Sequence, residues 1–132
     1  MTIPETNKQI VIAAYAALNA GDPAGYFARL ASDVRVTIFG SHRLARTFHG
    51  KEDIMQNQVP VLRAKLEGSI KLHVKNVVAD GDQVVVEALG EARTQDGRDY
   101  NNSYCIMLKL RDGKIAEIRE YMDTELTKTI FG

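Results

Sequence analysis

The feature that most constrains the fold is a pair of alternating runs between Tyr100 and Asp123. A short turn, Arg111 to Lys114 with the sequence RDGK, separates the two runs. Aspartate followed by glycine is typical of a tight hairpin turn, because both residues tolerate the backbone angles that such a turn needs. The flanking residues alternate with the period of two that a β-strand produces. The stretch therefore predicts a long antiparallel hairpin.

One face of this hairpin is predicted to carry two polar groups in an otherwise apolar row. Side chains at positions i and i+2 of a strand share a face. On that basis Glu120 and Asn102 are expected to point into the same apolar interior. The row on the second strand is Ala116, Ile118, Glu120 and Met122, and the row on the first strand is Tyr100, Asn102, Tyr104, Ile106, Leu108 and Leu110.

Length and charge restrict the classes of protein and partner. At 132 residues the chain predicts one domain, residues 1–132. Lys plus Arg equal Asp plus Glu at 17 each, and there is no long basic run, so we expect no nucleic-acid partner. One cysteine, Cys105, and no histidine pair at metal-ligand spacing predict no disulfide, no metal and no cofactor. The chain lacks a basic leader, and its apolar run from Ile10 to Leu18 is too short to span a bilayer. We therefore expect a cytoplasmic protein with no membrane partner.

The remaining sequence predicts helices first and strands afterwards. Thr6 is a predicted N-cap, and Asp22 before Pro23 is another. Pro60 is expected to kink or divide the third helical stretch. The pattern predicts an α+β fold with helices on one face of a curved sheet. The predicted helices span 6–19, 22–30, 51–66 and 124–131, and the predicted strands span 34–38, a short segment near 47–48, 69–80, 83–94, 100–110 and 114–123.

Three stretches carry a resemblance to a known family: NAGD at the end of the first helix, GKEDI at the start of the third, and DGKIAEIREYMD near the end. Together they resemble the SnoaL-like branch of the nuclear transport factor 2-like, or ketosteroid isomerase-like, superfamily. The resemblance implies a cone-shaped, cystatin-like α+β fold. In that fold a mixed or antiparallel sheet wraps around N-terminal helices and encloses an internal pocket. It also implies a homodimer formed through the outer face of the sheet.

The same resemblance implies roles for individual residues. Tyr15 matches the tyrosine that donates a hydrogen bond to the substrate oxyanion in ketosteroid isomerases, whose general base would align near Ile38. Glu120 matches the acid/base aspartate of SnoaL-type polyketide cyclases, whose pocket histidine matches Ile106. Asn102 and Glu120 also have counterparts in phenazine-biosynthesis isomerase-like proteins. Glu120 and Tyr15 are therefore the candidate catalytic residues.

Burial of Glu120 in an apolar cavity would raise its pKa toward the range that suits proton transfer at neutral pH. The alternative is an ion pair with Arg35, Arg43 or Arg46. We expect a cofactor-independent isomerase or cyclase-type enzyme that acts on a small apolar oxygenated molecule. The alternatives are a non-catalytic ligand-binding or dimerisation module of the same fold, and an epoxide hydrolase-like enzyme, which would need paired carboxylates and an arginine. The predicted ligand contacts are Val36, Ile38, His42, Asn102, Tyr104, Ile106, Ile118 and Met122.

Overall fold

A computed structural model describes residues 2–132 and confirms the predicted α+β order. Met1, which the predicted domain includes, lies outside the described residues. The helices are α1 (Ile3–Asn19), α2 (Pro23–Ala28), α3 (Gly50–Asp53), α4 (Val59–Lys65) and α5 (Thr124–Phe131), and a π-helical turn (Ile54–Gln58) joins α3 to α4. The strands are β1 (Leu30–Ile38), β2 (Arg46–His49), β3 (Lys71–Asp80), β4 (Gln83–Glu91), β5 (Ser103–Arg111) and β6 (Lys114–Met122).

The N-terminal helices begin at side-chain caps. Thr2 caps α1, so the predicted cap at Thr6 is wrong. The Thr2 hydroxyl accepts the Glu5 N–H at 3.3 Å, and the Glu5 carboxylate accepts the Thr2 N–H at 3.3 Å, which is a capping box. Asp22 caps α2 as predicted, by accepting the Gly25 N–H at 3.0 Å. The earlier start lengthens α1 by about one turn, because the sequence offers two threonines and only the first has a glutamate three residues later.

Pro60 lies near the start of α4 and follows the π-helical turn. A proline inside a helix has no N–H to donate, and its ring crowds the preceding turn. The wider π-helical turn falls immediately before it. The predicted third helix is therefore divided, and the division lies at residues 54–58.

The sheet is mixed, with the strand order β2-β1-β6-β5-β4-β3. β1 runs parallel to β6, and every other neighbouring pair is antiparallel. This order places a strand from the N-terminal half beside the strand that carries Glu120. Glu120 pairs with Ile38 on β1 and with Ile106 on β5, so three strands meet at this residue.

A β-bulge near the start of β6 determines which of its side chains face the helices. Leu110 pairs with Ile115, whereas Lys109 pairs with Glu117, so Ala116 is an extra residue in this strand. Ile115 is fully buried and Ala116 is half-buried, which corrects the predicted row at that point. Beyond the bulge the predicted row continues with Ile118, Glu120 and Met122.

The main core lies between α1 and the inner face of the sheet. Val11, Ala14 and Tyr15 on α1 pack in the same hydrophobic cluster as the inward residues of β1 and β5. Val11 and Tyr15 are both buried and lie four residues apart, so they share one face of this helix. A second, smaller cluster lies under α5 and comprises Leu44, Leu66, Ala92, Tyr100, Ile130 and Phe131.

Candidate active site

Glu120 lies on the inner face of the sheet between two isoleucines. Its strand neighbours, Ile38 and Ile106, are 5% and 1% exposed, whereas Glu120 itself is half-buried. Burial is the only cause that shifts its ionisation, and it raises the pKa of Glu120 to about 7. A carboxyl that titrates near neutral pH is suited to accept and to return a proton.

Glu120 forms no ion pair with another residue of 2–132, so the predicted alternative is not seen in this part of the chain. Arg35 donates to Glu117 at 2.7 Å on the outer face of the sheet. Arg46 lies 3.4 Å from Asp53 and above the Phe48 ring. The salt bridges between described residues include none to Glu120, and no positive charge lowers the pKa of its carboxyl. The half-buried carboxylate therefore has no counter-ion within the described chain.

Tyr15 extends from α1 toward this carboxyl. The residue is 2% exposed, and its hydroxyl has no hydrogen-bond partner among the described residues. Burial raises the pKa of Tyr15 well above its ordinary value, and the nearby charges of Tyr26 and Glu120 raise that pKa further. A buried donor without a partner is uncommon in proteins. The Tyr15 hydroxyl therefore has a donor that no described residue uses.

Tyr26 on α2 belongs to the same cluster, although sequence analysis did not select it. Its ring centroid lies 5.9 Å from that of Tyr15 and 5.6 Å from that of Phe27. Burial, followed by the charge of Glu120, raises the pKa of Tyr26. Helix α2 has only six residues, too few for a helical period to show its inward face. The sequence feature that could have identified Tyr26 is the aromatic pair Tyr26-Phe27, which follows the predicted helix start at Asp22-Pro23.

Tyr104 reaches the cluster from β5, one inward position from Ile106. It is buried, and its strand partner is Met122. Its ring lies against Gly90 on β4, where an added Cβ atom would come within 2.7 Å of Tyr104 Cε2. Burial raises the pKa of Tyr104 first, and the nearby Tyr100 and Glu120 raise it further. Three tyrosines from three different elements therefore surround one carboxyl.

Asn102 lies in the predicted inward row but has partners of its own. The residue is 1% exposed. Its amide nitrogen lies 3.0 Å from Thr127 Oγ1, 3.1 Å from the Asp123 carbonyl oxygen and 3.2 Å from the Tyr100 hydroxyl. Its amide oxygen accepts the N–H groups of Ser103 and Asp123 at 2.8 and 3.1 Å. The amide thus ties β5 to the start of α5, and its hydrogen bonds indicate a structural role.

His42 was predicted as a ligand contact, and the structure places it in the buried part of the β1–β2 loop. Its Nδ1 accepts the Leu44 N–H at 3.2 Å. Its Nε2 lies 3.1 Å from the Phe39 carbonyl oxygen, so the hydrogen-bond pattern assigns the proton to Nε2. Both ring nitrogens are occupied, which indicates that His42 stabilises the loop.

Glu120 lines neither of two surface clefts in the described part of the chain. One, of about 90 Å³, lies on the outer face of β5 and β6 and includes Met107 and Arg119. The other, of about 390 Å³, lies between Asp33 and Arg111 at the far end of these strands. Neither cleft corresponds to the predicted internal pocket.

The described residues were also compared with the requirements of metal binding and of membrane crossing. Residues 2–132 contain no group of three His, Cys, Asp or Glu side chains arranged to hold a metal ion. None of the helices in this part of the chain has the length and apolar character needed to cross a membrane.

Comparison with known proteins identifies the family. A family model described as a SnoaL-like domain matches residues 11–118. The chain belongs to this SnoaL-like family. The predicted resemblance is thereby confirmed, and the match ends two residues before Glu120. No curated protein matches the chain.

Solved structures show the same fold at low sequence identity. An NTF2-like protein of unknown function from Burkholderia pseudomallei is 21% identical over 99% of this chain and 98% of that chain, with a TM-score of 0.86. A Jannaschia protein named after SnoaL-like polyketide cyclases is 18% identical over 99% and 94%, with a TM-score of 0.80. A Catenulispora acidiphila protein with a ketosteroid isomerase-like fold, in complex with trimethylamine, is 20% identical over 93% and 92%, with a TM-score of 0.75. At these identities the likeness shows the fold alone.

Proposed function

We propose that this chain is a cofactor-independent acid/base enzyme of the isomerase or cyclase type, acting on a small apolar oxygenated molecule held against Glu120. One observation carries the proposal: a carboxyl with a pKa of about 7 has no partner in the described chain and lies near a buried, unpartnered Tyr15 hydroxyl. Perturbed acids of this kind are enriched at functional sites. Membership of a SnoaL-like family with isomerase-like and cyclase-like relatives supports the same class of reaction.

In the proposed reaction each polar group has a distinct role. The Glu120 carboxylate takes a proton from a carbon next to a carbonyl group, which leaves the electron pair delocalised onto the carbonyl oxygen. Tyr15 donates a hydrogen bond to that oxygen, where negative charge develops. Glu120 then returns the proton to a different carbon, or a new carbon–carbon bond forms and the proton goes to the resulting alkoxide. The walls of the proposed site are Tyr26, Val36, Ile38, Tyr104, Ile106, Ile118 and Met122.

A non-catalytic ligand-binding module is the second candidate, and two residues favour it. Ile38 stands where the base of ketosteroid isomerases would align, and Ile106 stands where the cyclase histidine would align. Their pairing with Glu120 puts all three positions side by side, and only one of them is polar. An epoxide hydrolase-like site has no support here, because no second carboxylate or arginine affects the pKa of Glu120.

The acid/base role can be tested before the natural substrate is known. A panel of apolar ketones is incubated with the protein in heavy water, and loss of the protons next to the carbonyl is followed by NMR. We expect catalysed exchange whose rate rises with pH and levels off above about pH 7, because only the ionised carboxylate accepts a proton. The Glu120→Gln variant is expected to lose at least roughly 100-fold of this rate, as general-base catalysis contributes about that much or more.

Glu87→Gln is the matched control, because Glu87 is exposed on the outer face of β4. We expect this variant to exchange protons at the wild-type rate. Equal exchange rates for the wild type and Glu120→Gln, with a ketone that binds both, would refute the acid/base role and leave the binding module as the better description.

We also propose a homodimer through the outer face of the sheet. Phe39 and Tyr121 stack there at 4.4 Å between ring centroids, and both remain more than a third exposed. Leu89 on β4 is also exposed on this face, and the buried Nε of Arg119 lacks a partner in the described chain. These features suit a surface that a second subunit covers. Light scattering is expected to give twice the chain mass at micromolar concentration, and Leu89→Lys with Tyr121→Lys is expected to give the monomer mass.

A reducing, cytoplasmic setting is proposed from the one cysteine. Cys105 is a free thiol and is exposed on β5. Free exposed thiols persist in reducing compartments, whereas oxidising compartments favour disulfides. Fractionation of cells that express the natural protein tests this assignment.

A further inference from the structure

The charge balance around Glu120 points to a second class of ligand. Four elements contribute neighbours to this carboxyl. β1 and β5 supply Ile38 and Ile106, and α1, α2 and β5 supply Tyr15, Tyr26 and Tyr104. The three tyrosines stay neutral between pH 6 and pH 8, since their pKa values are all raised. The ionised carboxylate is therefore the one charge that faces this cluster among residues 2–132, and no cation balances it.

The rings around this charge are oriented in several directions. The planes of Tyr15 and Tyr26 are inclined by 49°, and those of Tyr26 and Phe27 by 89°. Aromatic faces attract weakly hydrated cations, and walls at different angles can contact such a cation from more than one side. A carboxylate behind such walls adds a full opposite charge at low dielectric constant.

Part of this cluster remains accessible to solvent. Glu120, Tyr26 and Phe27 retain accessible surface, whereas Tyr15 and Ile106 are buried. A small molecule can therefore contact the carboxylate and the rings of α2 from solvent. Neither of the two surface clefts described above includes these residues.

We propose that this site binds small alkylammonium cations, with Glu120 as the counter-charge and the aromatic side chains of α1 and α2 as the walls. The chemistry selects this class over metal ions, because calcium and magnesium need six or more oxygen ligands and the site offers one carboxylate. Strongly hydrated ammonium ions are also disfavoured, since the apolar walls cannot replace their water. The inference rests on the site proposed above being open to ligands, and it does not require Glu120 to transfer protons in a reaction.

Tetramethylammonium chloride is the probe, because its charge is permanent and does not itself change with pH. Its affinity for the wild-type protein is measured by calorimetry at pH 6 and pH 8. We expect roughly tenfold tighter binding at pH 8, since the ionised fraction of Glu120 rises from about one-tenth to about nine-tenths around a pKa of about 7. At pH 7 the binding is expected to release protons, which is seen as a dependence of the measured heat on the ionisation enthalpy of the buffer.

Three controls separate this site from general association. Glu120→Gln is expected to weaken tetramethylammonium binding at pH 8 by at least tenfold and to remove its pH dependence, whereas Glu87→Gln is expected to change neither. Tyr26→Leu is expected to weaken binding several-fold without altering the dependence on pH. Neutral tert-butanol, which has a similar shape, is expected to bind the wild type equally at both pH values.

Equal affinity for tetramethylammonium at pH 6 and pH 8, or wild-type affinity in Glu120→Gln, would overturn the cation site. The result is independent of the proposed reaction, because ketone proton exchange uses a neutral substrate. Cation binding without proton exchange would contradict the acid/base role alone, and proton exchange without cation binding would contradict this inference alone.

Discussion

Two polar clusters lie on the inner side of the same sheet, and they differ in how they are satisfied. In the first, Asn102, Tyr100 and Thr127 join β5 to α5, and their side chains form hydrogen bonds to one another at 2.9 to 3.2 Å. In the second, Glu120 and Tyr15 have no such bond within the described chain. Along the inward row, Tyr104 is the one residue between Asn102 of the first cluster and Ile106, which pairs with Glu120 of the second.

The difference distinguishes structural polar groups from candidate functional ones. A satisfied buried network holds its elements in a single arrangement. An unsatisfied buried group, such as the Tyr15 hydroxyl, costs stability, and groups of this kind are expected at functional sites. In the sequence pattern, Asn102 and Glu120 both lie in an apolar row. They differ in their hydrogen-bond partners, which the pattern does not show.

Asn102→Leu should break the satisfied cluster and give the largest change. The substitution removes the acceptor of the Asp123 N–H and leaves several buried polar groups without partners. Each such group costs about 1–3 kcal/mol, so we expect a loss of roughly 3–4 kcal/mol in the free energy of unfolding, measured by urea denaturation. Asn76→Leu, at an exposed position of β3 whose side chain forms no hydrogen bond within the described chain, is expected to cost under about 1 kcal/mol. Similar losses for both would show that the network contributes little.

Glu120→Gln is expected to raise the free energy of unfolding, whereas Asn102→Leu lowers it, and the size of the increase depends on pH. The folded state holds the Glu120 proton more tightly than the unfolded state, because the pKa rises from 4.5 to about 7 on folding. Wild-type stability is therefore fully present below about pH 4.5 and falls as pH rises to about 7, by up to about 3 kcal/mol. Glutamine stays neutral, so we expect the variant to exceed the wild type by that amount at pH 8 and to match it near pH 4.

Urea denaturation at closely spaced pH values checks this expectation, and Glu87→Gln serves as the control that keeps the wild-type profile. A wild-type profile without a decline between pH 4.5 and 7 would show that Glu120 is solvated in both states. That result would also remove the reason for expecting proton transfer near neutral pH.

The smallest expected effects are those of Tyr15→Phe and Tyr100→Phe, which each remove one hydroxyl group from one of the two polar clusters. The Tyr15 hydroxyl has no partner, so its removal is expected to be neutral or to stabilise the fold by up to about 1 kcal/mol. The Tyr100 hydroxyl lies 2.9 Å from Thr127 Oγ1, so its removal is expected to cost about 1–2 kcal/mol. Thermal unfolding of both variants gives the comparison, and equal losses would mean that both hydroxyls are satisfied in solution.

The sequence pattern predicted most of the sheet because its strands alternate outside the bulges. The inward placement of Ile106 and Glu120 follows from a period of two and needs no knowledge of other elements. The final helix, Thr124 to Phe131, was predicted with the observed bounds because Asp123 caps it. Local chemistry was sufficient wherever the signal lay within a few residues.

The candidate site was harder to predict, because its partners are distant in the chain. Asn102 binds groups at positions 123 and 127, and no local pattern shows that its amide is already occupied. His42 lies in a polar segment that reads as solvated, although the fold buries it against the Phe39 carbonyl. Tyr26 was missed since its helix is short. Each case depends on long-range contacts, which a period in the sequence does not record.

The bulge at Ala116 sets the orientation of the residues that follow it. Ile115 faces inward before the bulge, so a strand that paired every residue in turn would next point Glu117, Arg119 and Tyr121 inward. Because Ala116 takes up one extra position, Ile118, Glu120 and Met122 face inward instead. Deletion of Ala116 would leave Ile115 opposite Leu110 and Glu117 opposite Lys109, so the same side chains would face inward in an unbroken ladder. A hairpin shortened by this one residue could therefore keep the inward-facing carboxylate.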